Sequence, residues 1–181
     1  IMGVNFSGLS NETMVLPTNG FHGGFWVTDK RGTNDNGGAA SGGNVWRKRD
    51  LNTIEFSWGN IGSNTVSSNN VTPTAGWWQI IASAPACRVD NHILSIQTSW
   101  NGIQVGTSAR TDSSGYWVTN RSFVRARFYF NGSQTFSLYH RFESSQGNSM
   151  GMGSGNATGQ QNRFAEALCL KYEFDTAGAT P

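Results

Sequence analysis

Apolar and polar residues alternate along much of the chain from residue 54 onward. The longest alternating run divides into two faces, Val124, Ala126, Phe128 and Phe130 on one and Phe123, Arg125, Arg127 and Tyr129 on the other. A period of two is typical of a strand with one face in a core and the other in solvent or an interface. The same period in 54–58, 78–80, 94–100 and 136–142 predicts several such strands.

Two Asn-Gly dipeptides, at 101–102 and 131–132, stand between alternating runs. The runs that they separate are 92–100 and 103–110 in the first case, and 121–130 and 133–143 in the second. Asn and Gly reach positive φ at low cost, and a two-residue type I′ turn needs positive φ at both positions. We therefore predict two tight antiparallel hairpins.

The C-terminal run allows two interpretations. Residues 164–168 would also serve as a helical turn, but alternation continues through Leu168, Leu170, Tyr172 and Phe174. We predict a strand with these four side chains facing inward.

Long polar segments at 29–44, 59–76 and 144–162 separate the predicted strands. Strands of six to ten residues joined by such loops are typical of sandwiches and jelly rolls. We predict that residues 1–181 form one all-β domain, an antiparallel, jelly-roll-like β-sandwich with long polar loops. Loops of this length often carry binding function.

The charge and the lengths of the apolar runs argue against nucleic acid and membrane as partners. Charged residues make up only 13% of the chain and the net charge is +2, whereas seven Trp, eleven Phe and four Tyr supply large apolar side chains for a core. So small a charge gives no electrostatic footprint for nucleic acid. No apolar run is long enough to span a bilayer, so we predict no membrane insertion.

The cysteines and histidines do not form a recognisable catalytic or metal-binding motif. We expect Cys87 and Cys169 to be buried and inert, although a disulfide in an oxidising compartment stays open at this stage. His140 lies on the apolar face of its run, which favours a core histidine. His22 and His92 have no neighbours at metal-ligand spacing, and we predict neither a metal nor a cofactor.

Carboxylate pairs would be the signature of a glycosidase. The pairs near in sequence or across the first hairpin are Asp50 with Glu55, Asp90 with Asp112, and Glu173 with Asp175. Coincidence accounts for such pairs, so we predict that the protein is not an enzyme.

Recognition of sugars fits the residue types better. Sugar binding uses aromatic faces with Asn, Asp, Ser and Arg at the rim, and ten arginines against three lysines favour planar, bidentate contacts. Candidate ligand-binding residues are Trp46, Arg47 and Arg49, with Trp77 and Tyr116 as weaker candidates. Residues 45–50 are alternatively a charged edge strand that blocks aggregation.

The texture of the chain resembles the C-terminal receptor-binding tips of bacteriophage tail fibres and tailspikes. The resemblance lies in strands that begin Gly-aromatic-Trp, at Gly24–Trp26 and Gly115–Trp117, in Asn-Gly turns, and in abundant Gly, Asn, Ser and Thr with little Lys. It implies a non-catalytic homotrimeric head in the virion that binds bacterial surface polysaccharide (lipopolysaccharide or capsule) or an outer-membrane protein. It also implies that Cys87 and Cys169 are free in a reducing cytoplasm. The alternative is a free-standing secreted lectin or carbohydrate-binding module.

The outward residues Phe123, Arg125, Arg127 and Tyr129 bear on assembly. Subunit interfaces are enriched in Tyr, Phe and Arg, so this strip favours an oligomer. The second sheet of a sandwich could also cover it.

Overall fold

A computed structural model describes residues 20–33, 35–40, 44–111, 119–143, 150–155 and 161–172. These residues contain eleven strands. Their bounds are β1 Phe21–Arg31, β2 Trp46–Lys48, β3 Thr53–Gly59, β4 Thr65–Ser67, β5 Asn70–Thr72, β6 Gly76–Cys87, β7 Asn91–Thr98, β8 Ile103–Arg110, β9 Thr119–Phe130, β10 Phe136–Phe142 and β11 Asn162–Tyr172. No helix long and apolar enough to cross a bilayer occurs in these ranges.

The strands form two sheets. Sheet 1 has the order β3-β1-β11-β6-β9, and sheet 2 has the order β4-β5-β10-β7-β8, with β2 paired to β10. Every pairing with a recorded register is antiparallel. The predicted all-β, jelly-roll-like sandwich is confirmed.

The inner faces of both sheets form one apolar core. Sheet 1 contributes Phe25 and Trp78, whose ring centroids lie 5.3 Å apart, and sheet 2 contributes Leu94 and Leu138. All four side chains are fully buried. The indole N–H of Trp78 donates to the carbonyl of Thr74 at 2.8 Å, so this ring is buried without an unpaired donor.

The first Asn-Gly pair lies in a hairpin, as predicted, but the turn is longer than two residues. Residues 99–102 form the loop between β7 and β8, and the N–H of Thr98 donates to the carbonyl of Gly102 at 2.8 Å. Asn101 has a φ of 67°, whereas Gly102 is not in the left-handed region. The longer loop lets Trp100 pack 5.1 Å from the ring of Phe130, a contact that a two-residue turn would not provide.

The second Asn-Gly prediction was wrong. Strand β9 belongs to sheet 1 and β10 to sheet 2, so 131–135 carries the chain from one sheet to the other. The side-chain oxygen of Asn131 accepts from the N–H of Ser133 and of Gln134, which builds the turn. Both strands bury their apolar faces, and Phe130 meets Phe136 across the core at 6.0 Å. Packing face to face across the core replaced side-by-side pairing.

The C-terminal segment is a strand, as predicted, but the inward face is the opposite one. Ala165, Ala167 and Cys169 are buried, while Leu168 and Leu170 are half-exposed on the outer face. Cys169 pairs with Phe25 on one side and Ile80 on the other, and these large neighbours leave room for small side chains only. Phe174 lies outside the described residues.

All three of the predicted loops are partly strand. Residues 29–31 end β1, and segment 59–76 contains both β4 and β5. Of the third predicted loop, 150–155 is loop and Asn162 begins β11. Of these strands only β4 lies at the edge of a sheet. The three-residue β5 buries only Val71, which is too little for an alternating pattern to show.

Both cysteines are buried and unpaired. Cys169 pairs with Ile80 in β6, and Cys87 lies seven residues further along that strand, about 23 Å away at the rise of a strand. A bond between them is out of reach. Burial raises the pKa of the Cys169 thiol, so this thiol is also unreactive. His140 is buried, as predicted.

Candidate functional site

The predicted ligand-binding residues do not come together. Trp46 and Arg47 lie on β2 and are half-buried, whereas Trp77 is on the outer face of sheet 1. Arg49 is only 1% exposed, so its side chain cannot contact a ligand on the surface. Tyr116 lies outside the described residues.

Trp46 and Arg47 point to opposite faces of β2. Trp46 pairs with Arg141 of β10, and Arg47 pairs with the buried His140. Directly paired residues share a face, and successive residues alternate. Trp46 therefore lies on the outer face of sheet 2, and Arg47 is directed to the inner side at the sheet edge.

The row that contains Trp46 continues across sheet 2. Arg141 pairs with Ile93 of β7, and Ile93 pairs with Ser108 of β8. Below this row, Asn91 pairs with Arg110 and accepts the backbone N–H of Glu143 at 2.8 Å. The outer face of sheet 2 thus presents two adjacent rows of mainly polar side chains.

These rows form an open groove of about 450 Å³, which we name the polar groove. Its outer lining is Asn44, Asn91, Ile93, Ser108, Arg141 and Glu143, together with the buried His92 and Phe142. The amide of Asn91 donates to Glu143, and the guanidinium of Arg141 donates to the side-chain oxygen of Asn44 at 3.2 Å. Asn44 has a φ of 62°, the left-handed conformation that Asn tolerates better than most residues.

The groove can donate and accept hydrogen bonds in several directions. Amides supply both functions, a guanidinium supplies donors only, and a carboxylate supplies acceptors only. Trp46 lies beside Arg141 at one end and provides an aromatic ring there. This set of groups fits a polyhydroxylated ligand with one apolar face.

The outer face of sheet 1 has the opposite character, and we name it the aromatic face. Phe123 is 53% exposed, Phe56 53% and Tyr129 52%. The other exposed rings of this face are Phe21, Trp58 and Trp77. Contiguous apolar patches of this size on a soluble domain mark interaction surfaces.

A shallow apolar groove of about 350 Å³ crosses this face. It is lined by Trp26, Phe56, Ile81, Phe123 and Leu168, with Glu166 at its side. Trp58 extends the patch because its ring lies across β1 at Gly24, where a Cβ would come within 2.6 Å of the indole. Glycine at position 24 therefore lets the ring lie flat on the sheet.

Two ion pairs lie on the aromatic face. Arg163 donates to Glu55 at 2.9 Å, and its guanidinium lies 5.5 Å from the ring centre of Trp26. Arg121 donates to Glu166 at 2.7 Å. Since these charges already have partners, the face can be covered without leaving them unpaired.

Two of the carboxylates considered for catalysis, those of Asp50 and Glu55, are tied into ion pairs. Asp50 accepts from Arg31 at 2.6 Å, and Glu55 accepts from Arg163, Thr28 and Lys30. The hydrogen bond from Arg163 lowers the pKa of Glu55. Asp112, Glu173 and Asp175 lie outside the described residues.

Sequence reasoning missed most of the polar groove. Alternation in 136–142 already placed Arg141 on the outward side of its strand. Asn44, Asn91 and Glu143 are polar residues in or beside loops, and only the strand register brings them next to Arg141. A single sequence carries no signal for that register.

No protein-family model and no curated protein matches the sequence. Solved structures match this chain over most of its length, and three of them are the PRD1 vertex protein P5, murine APRIL and an Eiger TNF. The PRD1 vertex protein P5 has 15% identity and a TM-score of 0.46, with 84% of this chain and 98% of that chain covered.

The other two are murine APRIL at pH 8.0 and the Eiger TNF of S. frugiperda. Murine APRIL has 7% identity and a TM-score of 0.47, with 81% of this chain and 98% of that chain covered. The Eiger TNF has 9% identity and a TM-score of 0.45, with 89% and 98% covered. At these values none of the three proteins indicates what this chain binds or does.

Proposed function

We propose that this domain is a non-catalytic host-recognition head of a bacteriophage tail fibre. It binds bacterial surface glycan in the polar groove and assembles as a homotrimer through the aromatic face. The observation that carries the proposal is the difference in chemistry between the two outer faces. One face exposes aromatic rings and carries the Arg163–Glu55 and Arg121–Glu166 ion pairs, and the other is a groove of hydrogen-bonding groups.

The polar groove supports the glycan part of the proposal. Its amide, guanidinium and carboxylate groups offer directional hydrogen bonds, and Trp46 at its end offers a ring for the C–H face of a sugar. The opening is shallow, which suits part of a long polymer rather than an enclosed small molecule. An outer-membrane protein is the other receptor class for such a head.

The aromatic face supports the assembly part. Six exposed rings, each about half accessible, offer on the order of 500–600 Å² of apolar surface if a buried aromatic covers about 150–250 Å². A stable interface buries about 800 Å² on each partner, so these rings and the half-exposed Leu168 and Trp26 approach that size. The number of subunits comes from the resemblance to fibre tips.

Binding to purified lipopolysaccharides and capsular polysaccharides on an array, with mass measured by light scattering, tests the proposal. We expect a trimer that binds one or a few polysaccharides without shortening them. Arg141→Gln should lose that binding, and Arg127→Gln on the aromatic face is the matched control.

Other outcomes would replace the proposal. A monomer that binds glycan in the groove would be a free-standing lectin or carbohydrate-binding module. Retained binding in Arg141→Gln would remove the polar groove as the site. Binding only to intact outer membranes, abolished by protease, would identify a protein receptor.

A further inference from the structure

A cluster of ionisable side chains lies inside the sandwich and connects the two sheets. Asp29 comes from β1 of sheet 1, His92 and His140 come from β7 and β10 of sheet 2, and Arg49 follows β2. None is more than 1% exposed. His92 Nδ1 lies 2.8 Å from His140 Nε2, and Arg49 Nη2 lies 3.8 Å from Asp29 Oδ2.

The hydrogen bonds of this cluster suit two neutral imidazoles. A neutral ring has one N–H and one lone pair, so one ring donates to the other at the 2.8 Å contact. The outer nitrogens, His92 Nε2 and His140 Nδ1, are buried without a hydrogen-bond partner. In the neutral pair one of these outer nitrogens carries an N–H and the other a lone pair. A further proton would place an N–H on both outer nitrogens, and nothing among the described residues accepts either one.

The charges that face the histidines are mainly positive. Arg49 repels a proton on either ring, and His92 repels a proton on His140. The carboxylate of Asp29 is shared between Arg49 and Arg31, which donates to it at 2.9 Å. Three further charged groups surround the cluster. Asp50 accepts a hydrogen bond from Arg31, and Arg47 pairs with His140 in the strand register. Arg121 repels the charge on Arg49.

Burial and these charges act on each group in a stated direction. Burial, with Arg49 as the second cause, lowers the pKa of His92 to about 4 and that of His140 well below its ordinary value. Burial lowers the pKa of Arg49 only to about 10. Near neutral pH the cluster therefore holds the Arg49 guanidinium beside Asp29 and two uncharged imidazoles.

We propose that this buried cluster is an acid-sensitive latch, in which the Arg49–Asp29 ion pair links the two sheets and the neighbouring His92–His140 pair of sheet 2 makes that link sensitive to acid. Protonation of either ring places a second cation beside Arg49 inside the core, and the sheets separate at this end of the sandwich. The latch lies directly beneath the polar groove, because Asn91 and Ile93 flank His92 and Arg141 follows His140. Acid therefore loosens the strands that carry the groove.

The sign of the effect follows from proton uptake. Both histidines have a lower pKa in the folded chain than the unfolded value of about 6.5, so the unfolded chain takes up more protons as the pH falls below 6.5. Stability is then lost on acidification, down to the region near pH 4 where folded His92 itself titrates. Burial raises the pKa of Asp29, which acts in the opposite direction, so the test must compare chains that differ only in histidine.

Denaturant unfolding at pH 7.5 and pH 5.0, at one chain concentration, tests the latch. From pH 7.5 to 5.0 the unfolding constant should rise about 30-fold for each histidine that stays neutral in the folded state. His92→Gln and His140→Gln should each remove about one such factor. His22→Gln, which deletes the histidine outside the cluster, should keep the full wild-type rise.

A wild-type rise no larger than that of the cluster variants would overturn the proposal. If those variants do not fold, NMR of the imidazole carbons in the wild-type chain gives the answer. We expect the signals of His92 and His140 to stay in the neutral position from pH 7.5 to 5.0. A midpoint near pH 6.5 for either ring would contradict the latch.

Discussion

The two outer faces of the sandwich share a backbone plan but differ in chemistry. On sheet 1 the outward positions carry rings and paired ions, as in Phe56 and Phe123 beside the Arg163–Glu55 pair. On sheet 2 the outward positions around Arg141 carry amides, a hydroxyl and a carboxylate. Antiparallel sheets can leave one face to water, and only the second face is suited to that. Under the proposed function, the face of sheet 1 is the buried face of the assembly and the face of sheet 2 is the working face, which binds the glycan.

Breaking the aromatic face should have the largest effect. Phe123→Asp replaces an exposed ring by a carboxylate, and an unpaired carboxylate in a closed interface costs several kcal/mol. We expect the dissociation constant of the assembly to rise at least about 100-fold, with the monomer still folded. Sedimentation velocity over a concentration series measures it.

Ile103→Asp is the control for that substitution, because Ile103 is 61% exposed on β8 of sheet 2. It should leave the assembly intact. Dissociation by Ile103→Asp, or none by Phe123→Asp, would show that the buried face has been misassigned.

The affinity of the polar groove for glycan should fall when the guanidinium of Arg141 is removed. Arg141→Gln deletes charge-assisted hydrogen bonds, which are worth about 1.5–3 kcal/mol each, so glycan affinity should fall about 10- to 100-fold. Calorimetry with the polysaccharide identified on the array measures the change. An unchanged affinity would place the ligand elsewhere.

Exchanging one ring on each face sharpens the comparison. Trp46→Ala should weaken glycan binding about 5- to 30-fold, since a stacked ring contributes about 1–2 kcal/mol, and should leave the mass of the assembly unchanged. Trp77→Ala should weaken the assembly and leave glycan binding unchanged. A loss of glycan binding in Trp77→Ala would return Trp77 to the ligand site, where sequence reasoning had placed it.

The smallest effect concerns an ion pair of the aromatic face. Hydrogen bonds from Arg163 and its neighbours lower the pKa of Glu55, so its contribution to stability is present above the unfolded value of about 4.5 and is lost as the pH falls through the folded value. Glu55→Gln should cost about 0.5–1 kcal/mol at pH 7, because Arg163 is partly exposed. The difference from wild type should vanish by about pH 2.

Thermal or denaturant unfolding of the two chains at both pH values measures that difference. Glu143→Gln on the working face is the control, and it should change stability by less than about 0.5 kcal/mol. A difference that persists at pH 2 would mean that the charge of Glu55 is not its cause.

The faces of most strands could be predicted from the sequence, because burial on one side imposes a period of two. In β9 and β10 the alternation assigned Val124 and Leu138 to the core correctly. It failed in β11, where both faces carry apolar residues and the space left by Phe25 and Trp78 selected Ala167 and Cys169 for the interior.

Pairing between strands could not be predicted from local pattern. Asn131-Gly132 has the composition of a hairpin turn, yet β9 and β10 lie in different sheets and their apolar faces pack against each other across the core. The candidate site depends on the same information, since Arg141 meets Asn44 and lies beside Trp46 through the register of β2 with β10. The prediction that Arg49 binds a ligand at the surface was wrong, because its neighbours in sequence do not indicate that its side chain enters the core.

Hydroxyl-radical footprinting of the native protein tests the division between the faces most directly. At concentrations that favour assembly, we predict slow oxidation of Phe56, Phe123 and Tyr129 and fast oxidation of Trp46, with Trp46 becoming protected when the glycan is added. Equal oxidation of Phe123 and Trp46 in the concentrated protein would contradict the assignment of a buried and a working face.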